Sequence, residues 1–581
     1  MKENTKRNFL LSGVFIIMFI VATIFMATFM FIFKISIHKI YVFISLLISI
    51  IVTIFLLKKN KILNVKSIII SVIMPILLII LSIILNGHVI DNSHDGNMYH
   101  KSTIGLLKNG WNPLYENVED FDSNEENPLY IENTGNQLWI NHYARGSHIF
   151  QACIYKLTDN IESGKAINTL SIASLFLLVS AYLSLKLKKQ IFPILFAIVT
   201  VTPSVVCAQF LTNYIDFLVY IYLTILLLSF FILEYKENQN EETIGLLIYF
   251  LSLLMLINIK FTSFAYAGLY CLCYYIYYIV KLKKQKLDRK YFIKFSITSA
   301  VAVIIGVFII GLAVYPKNYL NDGHPFYPLF GKNKVDIITD NQPDYFENKS
   351  TLEKFVISTL SRVDNISKYD KQKAEYKIPF TFNEKELHEL KNADTRISGH
   401  GVIFGGIFIT SLIILIILSF KIYKNDRQFF YMCSITIFLT VLLIFGLSES
   451  WWARYLPQVY YIPLVSILYL NKIKLSQNKL LLPALLSIVL LVNNAYTLKS
   501  VVKNSYDFTF WSNNQYRLIK ENIDCDKYDI YISSPVLPGA MYNVFDNLKE
   551  YEIITEKKTL EEVADYNYLM CGLVFERSEK K

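Results

Sequence analysis

Seven cysteines stand among 581 residues, and no two of them have CxxC spacing, so no zinc or thiol-redox motif can be read. Cys271 and Cys273 sit inside an apolar block, where packing accounts for them, while Cys525 and Cys571 share the C-terminal tail, where a disulfide is open but not forced. The chain has no P-loop and no GxGxxG set between a strand and a helix, which removes the common cradles for nucleotide phosphates. Its formal charge of +10 has no basic face to go with it. The Lys and Arg residues lie instead in short clusters between apolar stretches, so no nucleic-acid partner is expected.

What the chain has in quantity is apolar sequence. It is 54% hydrophobic and 15% aromatic, with a mean hydropathy of +0.38. The apolar residues fall in thirteen blocks, at roughly 9–33, 39–57, 67–86, 165–185, 191–210, 214–233, 243–258, 262–280, 292–314, 401–420, 428–447, 455–470 and 479–498. About 20 residues of helix cross ~30 Å of hydrocarbon, so the pattern predicts an α-helical polytopic membrane protein of about 13 spans. The first block is too long for a signal peptide and has no convincing small-residue cleavage site, which makes it an uncleaved helix. Blocks seven and eight abut at Asn258-Ile259-Lys260 and read equally as one broken helix.

The clusters Lys58-Lys59-Asn60-Lys61, Lys186 to Lys189, Lys281 to Lys286, Lys421 to Arg427 and Lys472 to Lys474 all fall on one side of this count. By the positive-inside rule that side is the cytoplasm, with the N-terminus in it and the C-terminus outside, in a cell membrane. A transmembrane domain of 1–498 then carries outer loops at about 87–164 and 315–400, followed by a tail at 499–581. Strand-like runs at Asp529–Ser533 and Tyr566–Phe575 make that tail a small α/β extracytoplasmic domain. The first outer loop predicts surface helices at 95–109 and 146–157. The inner loops are too short to house chemistry on soluble nucleotides.

Polar groups collect where the blocks meet the outer face. Asp91-Asn-Ser-His-Asp95-Gly-Asn-Met-Tyr99-His100 follows the third block, Asn141-His142-Tyr-Ala-Arg145-Gly-Ser-His148 lies in the same loop, and Asp216 opens the sixth block. Lys260 precedes the eighth block, and Trp451-Trp452-Ala-Arg454-Tyr455 precedes the twelfth. Ionisable groups at a membrane boundary point to a functional site, and Arg454, Arg145 and Lys260 favour an anionic ligand. Plainer roles stay open for each. Arg454 beside two tryptophans fits an interfacial anchor, Lys260 can snorkel, Asp216 can cap a helix, and His100 and His148 can be structural donors. Asp91 lies one helical turn before Asp95 if the helix starts early, a spacing at which two carboxylates share a metal ion or a proton. The residues name no cofactor, and a divalent metal stays open.

Taken together, Asp95-Gly-x-x-Tyr99-His100, Gly110-Trp111-Asn112-Pro113, Lys260-Phe-Thr262, Gly323-His324-Pro-Phe-Tyr327-Pro328 and Trp451-Trp452-Ala-Arg454-Tyr455 resemble the GT-C class of membrane glycosyltransferases. The likeness is to bacterial relatives of its family-39 and Rgt-type enzymes and spans about 85–460. It implies transfer of a sugar from a polyprenyl-phosphate carrier to a glycan or lipid acceptor at the outer face, with membrane lipids around the site. By resemblance the catalytic carboxylate is Asp95, with Asp91 in reserve. Arg454, Lys260 and Arg145 would bind donor phosphate, and Tyr99, His100, Trp111, Asp216, His324, Tyr327, Trp452 and Tyr455 would contact substrate. Asp95 would act as general base in one inverting displacement. Two features depart from the class. A single Asp precedes Gly96 where many members carry an acidic pair, and three helices precede the motif where one is usual, so that the first two look like an addition. A lipid-linked oligosaccharide polymerase would use a similar outer site. A transporter or flippase would need comparable gates on both faces, against which the large outer loops weigh.

Overall fold

In the computed structural model the chain is a helical bundle with a layer of loops and a four-stranded sheet. The structure describes residues 2–122, 136–187, 191–335, 341–473, 481–533, 537–555, 567–569 and 573–579. Lys188, Lys189, Lys474 and Cys571 lie outside them, and with Cys571 the pairing to Cys525. Among the described residues eleven helices are long and apolar enough to cross a membrane, and the protein is a polytopic α-helical membrane protein. The remaining two of the thirteen blocks are shorter. Block 191–210 breaks ahead of Pro203 into Ile191–Val201 and Ser204–Gln209, because proline cannot continue the hydrogen-bond ladder. Block 455–470 opens with a 3₁₀ turn at Pro457–Tyr460 and leaves the 12-residue helix Tyr461–Lys472. The seventh and eighth blocks are two helices, Gln239–Ile259 and Phe261–Lys283, with a single extended residue, Lys260, between them (φ −156°, ψ 152°).

Burial separates the middle of the bundle from its rim. The apolar window of Asp216–Glu234 is 94% buried and that of Glu3–Phe31 78%, against 22% for Val65–Gly87 and Arg289–Ile310. The first helix, expected as an addition, is therefore central: Phe15 and Phe19 are fully buried, and Phe19 meets Phe150 edge-on at 5.7 Å. The second helix, Ile40–Lys59, lies nearer the rim, with 39% of its window buried.

The segment 87–164 contains the helices Lys101–Asn109 and Gly146–Thr158, which are buried along most of their length and do not lie on the surface as expected. Gly110 closes the former at φ +122°, a conformation that favours a residue without Cβ. Trp111 then folds into the interior with no exposure, and Asn112 Nδ2 donates to the carbonyl of Phe31 at 3.0 Å. Lys317 Nζ donates to the carbonyl of Pro113 at 2.9 Å. The Gly110–Pro113 element is thus a turn that fastens the first loop to the end of the first helix and to the loop of 315–400.

The final helix, Leu481–Asn522, has 42 residues and is ~63 Å long, about twice the hydrocarbon thickness. The boundary drawn at 498/499 falls inside it, with no break in the chain there. Beyond it, β1 (Tyr528–Ser533), β2 (Ile553–Thr555), β3 (Asn567–Leu569) and β4 (Leu573–Glu579) form one sheet in the order β2-β1-β4-β3. The β1–β2 pair is parallel, and the other two pairs are antiparallel. Ile530 and Ile532 of β1 are both buried, as the two-residue period of a strand requires.

Helix Met541–Asn547 joins this part to the first loop. The ring of Tyr542 sits where a Cβ on Gly105 would come within 1.8 Å of it. Beside it Lys101 Nζ donates to Glu162 Oε1 at 2.6 Å, to Asn543 Oδ1 at 2.6 Å and to Asn97 Oδ1 at 2.9 Å. Lys165 Nζ pairs with the other oxygen of Glu162 at 2.8 Å. The four side chains Lys101, Glu162, Lys165 and Asn543 are all buried.

Candidate functional site

Asp91 does not start the helix of the first loop. It lies on the preceding extended segment, and its carboxylate is fully engaged inside the protein. Oδ2 accepts from the backbone N and the Nδ2 of Asn213, both at 2.8 Å, and Oδ1 accepts from the backbone N of Ser93 at 2.8 Å. Gly96 makes room for it, since a Cβ there would stand 2.2 Å from Asp91 Oδ2. Asp91 therefore locks the first loop to the start of Asp216–Glu234. The expectation that it shares a metal ion or a proton with Asp95 across one helical turn is not realised.

Asp95 leads into a wide π turn, Gly96–His100, of the kind that often marks functional sites. From there Asp95, Tyr99 and His100 face a cavity of about 650 Å³, within the ordinary size of a ligand site (~300–1,000 Å³). Its wall also carries Asp216, Lys260, Trp452, Arg454 and Tyr455, which the sequence singled out. To these the fold adds Asp394, Arg396 and Glu449, which it did not.

Arg454 is the centre of the charge arrangement. Its Nη1 donates to Asp95 Oδ2 at 2.9 Å, and its Nε lies 3.0 Å from Asp394 Oδ1. The guanidinium is packed 4.5 Å from the ring centre of Trp452, 5.0 Å from that of Tyr455 and 5.3 Å from that of Tyr214. Trp452 stacks on Trp451 at 5.2 Å and also carries Arg396, at 4.8 Å. Lys260 Nζ bonds to Asp216 Oδ1 at 2.6 Å and lies 4.7 Å over Tyr455. The single extended residue between two helices points this ammonium at the first turn of Asp216–Glu234. Asp216 occupies that turn as an ion-pair partner, with no capping bond of its own.

Two carboxylates share one guanidinium, and they titrate apart. Burial alone would raise Asp95, but the charge of Arg454, with bonds from His94 and Arg454, outweighs it and holds the carboxyl well below its usual range. Burial raises Asp394 as well. There the pull of Arg454 is offset by the negative charge of Asp95, and the carboxyl rises to about 7. A like charge nearby disfavours the second ionisation, as in other carboxylate pairs. Burial would lower Arg454, but Asp394, Tyr455 and Asp95 raise it well above its ordinary value, so it stays charged. His100 Nδ1 and His148 Nε2 are 2.6 Å apart. Burial lowers His100 to about 4 and holds His148 well below its ordinary value, which leaves a neutral imidazole pair behind Tyr99.

Besides Asp91, four of the sequence candidates lie off the cavity. Arg145 Nη2 donates to the carbonyls of Ile140 and Asn141, its Nη1 donates to that of Ala313, and the guanidinium sits 5.3 Å from the ring of Trp111. Burial lowers Arg145 to about 9. Arg145 and Trp111 thus pin the first loop internally. His324 Nδ1 accepts from the backbone N of Phe326 at 3.1 Å, and Tyr327 meets His142 edge-on at 4.8 Å. These two belong to the support of the loop 315–400, whose Leu329 and Val335 reach the cavity.

Asp394 escaped notice because nothing apolar announces it. It stands in the polar run Lys391-Asn-Ala-Asp394-Thr-Arg396, held by a turn in which its backbone N donates to Asn392 Oδ1 at 2.9 Å. The one available signal was position, a short polar run just before a membrane block on the side expected to be the outer one. Among the described residues no group of three or more His, Cys, Asp or Glu side chains is placed to hold a metal ion. Asp95 and Asp394 are both turned on Arg454. Compared with known proteins, the chain matches no family model, no curated protein and no solved structure.

Proposed function

We propose that this protein transfers a sugar from a polyprenyl-phosphate-linked donor to a cell-envelope acceptor at the outer face of the membrane. The observation that carries this reading is a cavity in which a carboxylate pair, Asp95 and Asp394, meets two cations, Arg454 and Lys260, at the ends of membrane helices. A lipid phosphate presents its headgroup at that depth while its chain stays in the hydrocarbon. Arg454 offers a planar fork suited to phosphate oxygens, and a positive charge stabilises a phosphate as it departs from the anomeric carbon. The acceptor hydroxyl is a weak nucleophile and needs a base, for which the sequence singled out Asp95. The leaving phosphate needs no acid, so a single displacement with inversion is sufficient, in contrast to hydrolysis with its paired acid and base.

The cavity presents Asp95, Asp216, Asp394 and Glu449 against Lys260, Arg396 and Arg454, so an incoming phosphate competes with carboxylates already in place. Donor binding therefore rearranges the Arg454 contacts. In this reading the N-terminus is cytoplasmic, and the sheet with its attached helix is an extracytoplasmic domain over the first outer loop. The test is transfer of radiolabel from a set of polyprenyl-phosphate sugars to envelope acceptors by purified protein in vesicles. Label appearing in an acceptor supports the reading, and none from any donor of the set refutes it.

A further inference from the structure

We infer that Asp394, contributed by the second outer loop, is the proton acceptor of the transfer, and that Asp95 is the residue that positions Arg454. The inference rests on the glycosyl-transfer reading and divides its chemistry between two carboxylates. The hydrogen-bond inventory separates them. Asp95 has both oxygens engaged, Oδ2 by the aligned bond from Arg454 at 2.9 Å and Oδ1 by the ring of His94 at 3.3 Å. Asp394 Oδ1 lies within ion-pair distance of Arg454 Nε but takes no aligned hydrogen bond from it or from any other group among the described residues. An oxygen buried in a cavity without a hydrogen bond is costly unless something else fills it. A hydroxyl of a bound acceptor would do so.

The electrostatics agree with this division. A base works best when its proton affinity lies near the working pH. Asp394 is held at about 7, whereas Asp95 lies far below its usual range. The groups that act on Asp394 come from several elements. Arg454 and Arg396 lower its proton affinity, while Asp95 and Asp216 raise it. His94 and Tyr214 feel its charge in turn. A phosphate bound at Arg454 takes up part of the guanidinium and adds negative charge, which makes Asp394 a stronger base. In the step itself the acceptor oxygen forms a bond to the anomeric carbon as the bond from that carbon to the phosphate oxygen breaks. The hydroxyl proton passes to Asp394, and the bonding pair leaves with the lipid phosphate. Asp394 then returns the proton to water.

The experiment measures sugar transfer against pH in the wild type, Asp394→Asn, Asp394→Glu and Asp95→Asn. Binding of a sugar-free polyprenyl phosphate is followed separately, and a protonated-carboxyl infrared band serves as a readout without substrate. Wild-type kcat/KM should rise with pH through about 7 and the limb in kcat should lie higher, since the bound phosphate adds charge. Asp394→Asn should lose about 10²–10⁴-fold in transfer, lose the infrared band that titrates near neutrality and keep its affinity for the lipid phosphate. Asp394→Glu should keep partial activity with a displaced limb, and this variant carries the test if Asp394→Asn does not fold. Asp95→Asn should bind the lipid phosphate with a changed affinity and keep a limb, displaced to lower pH because the charge of Asp95 that raises Asp394 is gone. An active wild type whose limb and rate are unchanged in the Asp394 variants overturns the inference alone. A wild type inactive with every lipid-phosphate sugar overturns the transferase reading and the proton-acceptor role together.

Discussion

Replacing Glu162 by Gln tests the physical account of the buried Lys101–Glu162–Lys165 cluster without any assumption about function. The Glu162 carboxylate is 2% exposed and stands between two ammonium groups that are not exposed at all, Lys101 at 2.6 Å and Lys165 at 2.8 Å. It also accepts from Asn543 Nδ2 at 2.8 Å and from the backbone N of Asp91 at 3.1 Å. Glutamine keeps the shape and one acceptor oxygen but leaves two buried cations facing each other with no counter-charge. Removing one partner of a buried pair costs about 3–5 kcal/mol, and the two remaining lysines place Glu162→Gln toward the upper part of that range. Lys101→Met leaves a neutral Glu162–Lys165 pair in place. The decisive measurement is the double-mutant cycle, read by denaturant titration of protein in bicelles. Deleting Lys101 in the Glu162→Gln background relieves the repulsion, so it should cost at least about 1 kcal/mol less than in the wild type, within the coupling seen for contacting residues. Costs that simply add, or a Glu162→Gln protein within 0.5 kcal/mol of wild type (the scatter of ordinary surface changes), would refute the reasoning.

Arg454→Lys keeps the charge but loses the fork that spans Asp95 and Asp394. The loss of one charge-assisted bond, about 1.5–3 kcal/mol, predicts about 10–100-fold weaker binding of a polyprenyl phosphate, and unchanged binding would make Arg454 an interfacial anchor. Gly105→Ala forces the ring of Tyr542 aside, which should cost about 1–3 kcal/mol as overpacking does. It should also open the C-terminal part to limited proteolysis in preference to the helices, and a cleavage pattern identical to wild type would deny that contact its role. A single cysteine at the exposed position Asn348 should react with an impermeant maleimide on intact cells while one at exposed Lys284 does not; the reverse labelling would invert the orientation.

Much was legible in the sequence by itself, for physical reasons. A membrane-spanning helix must satisfy its backbone internally and offer apolar side chains over a set length, so each span is written locally, in blocks such as 39–57 and 428–447. The lysine clusters and the polar residues at the block ends are local signals too, which is why Asp95, Lys260 and Arg454 could be picked out before any contact was known. Tertiary structure decided what local pattern does not encode. Whether an apolar helix faces lipid or protein depends on its neighbours, so the central place of Glu3–Phe31 was not readable from a composition much like that of the rim helices. Asp91 and Asp95 are four residues apart and look alike in sequence. Three donors hold the first inside the protein, while a π turn presents the second to the cavity. Asp394, 299 positions after Asp95, became its partner only because the loop of 315–400 folds back over Arg454, and no local periodicity reports a contact made across such a distance.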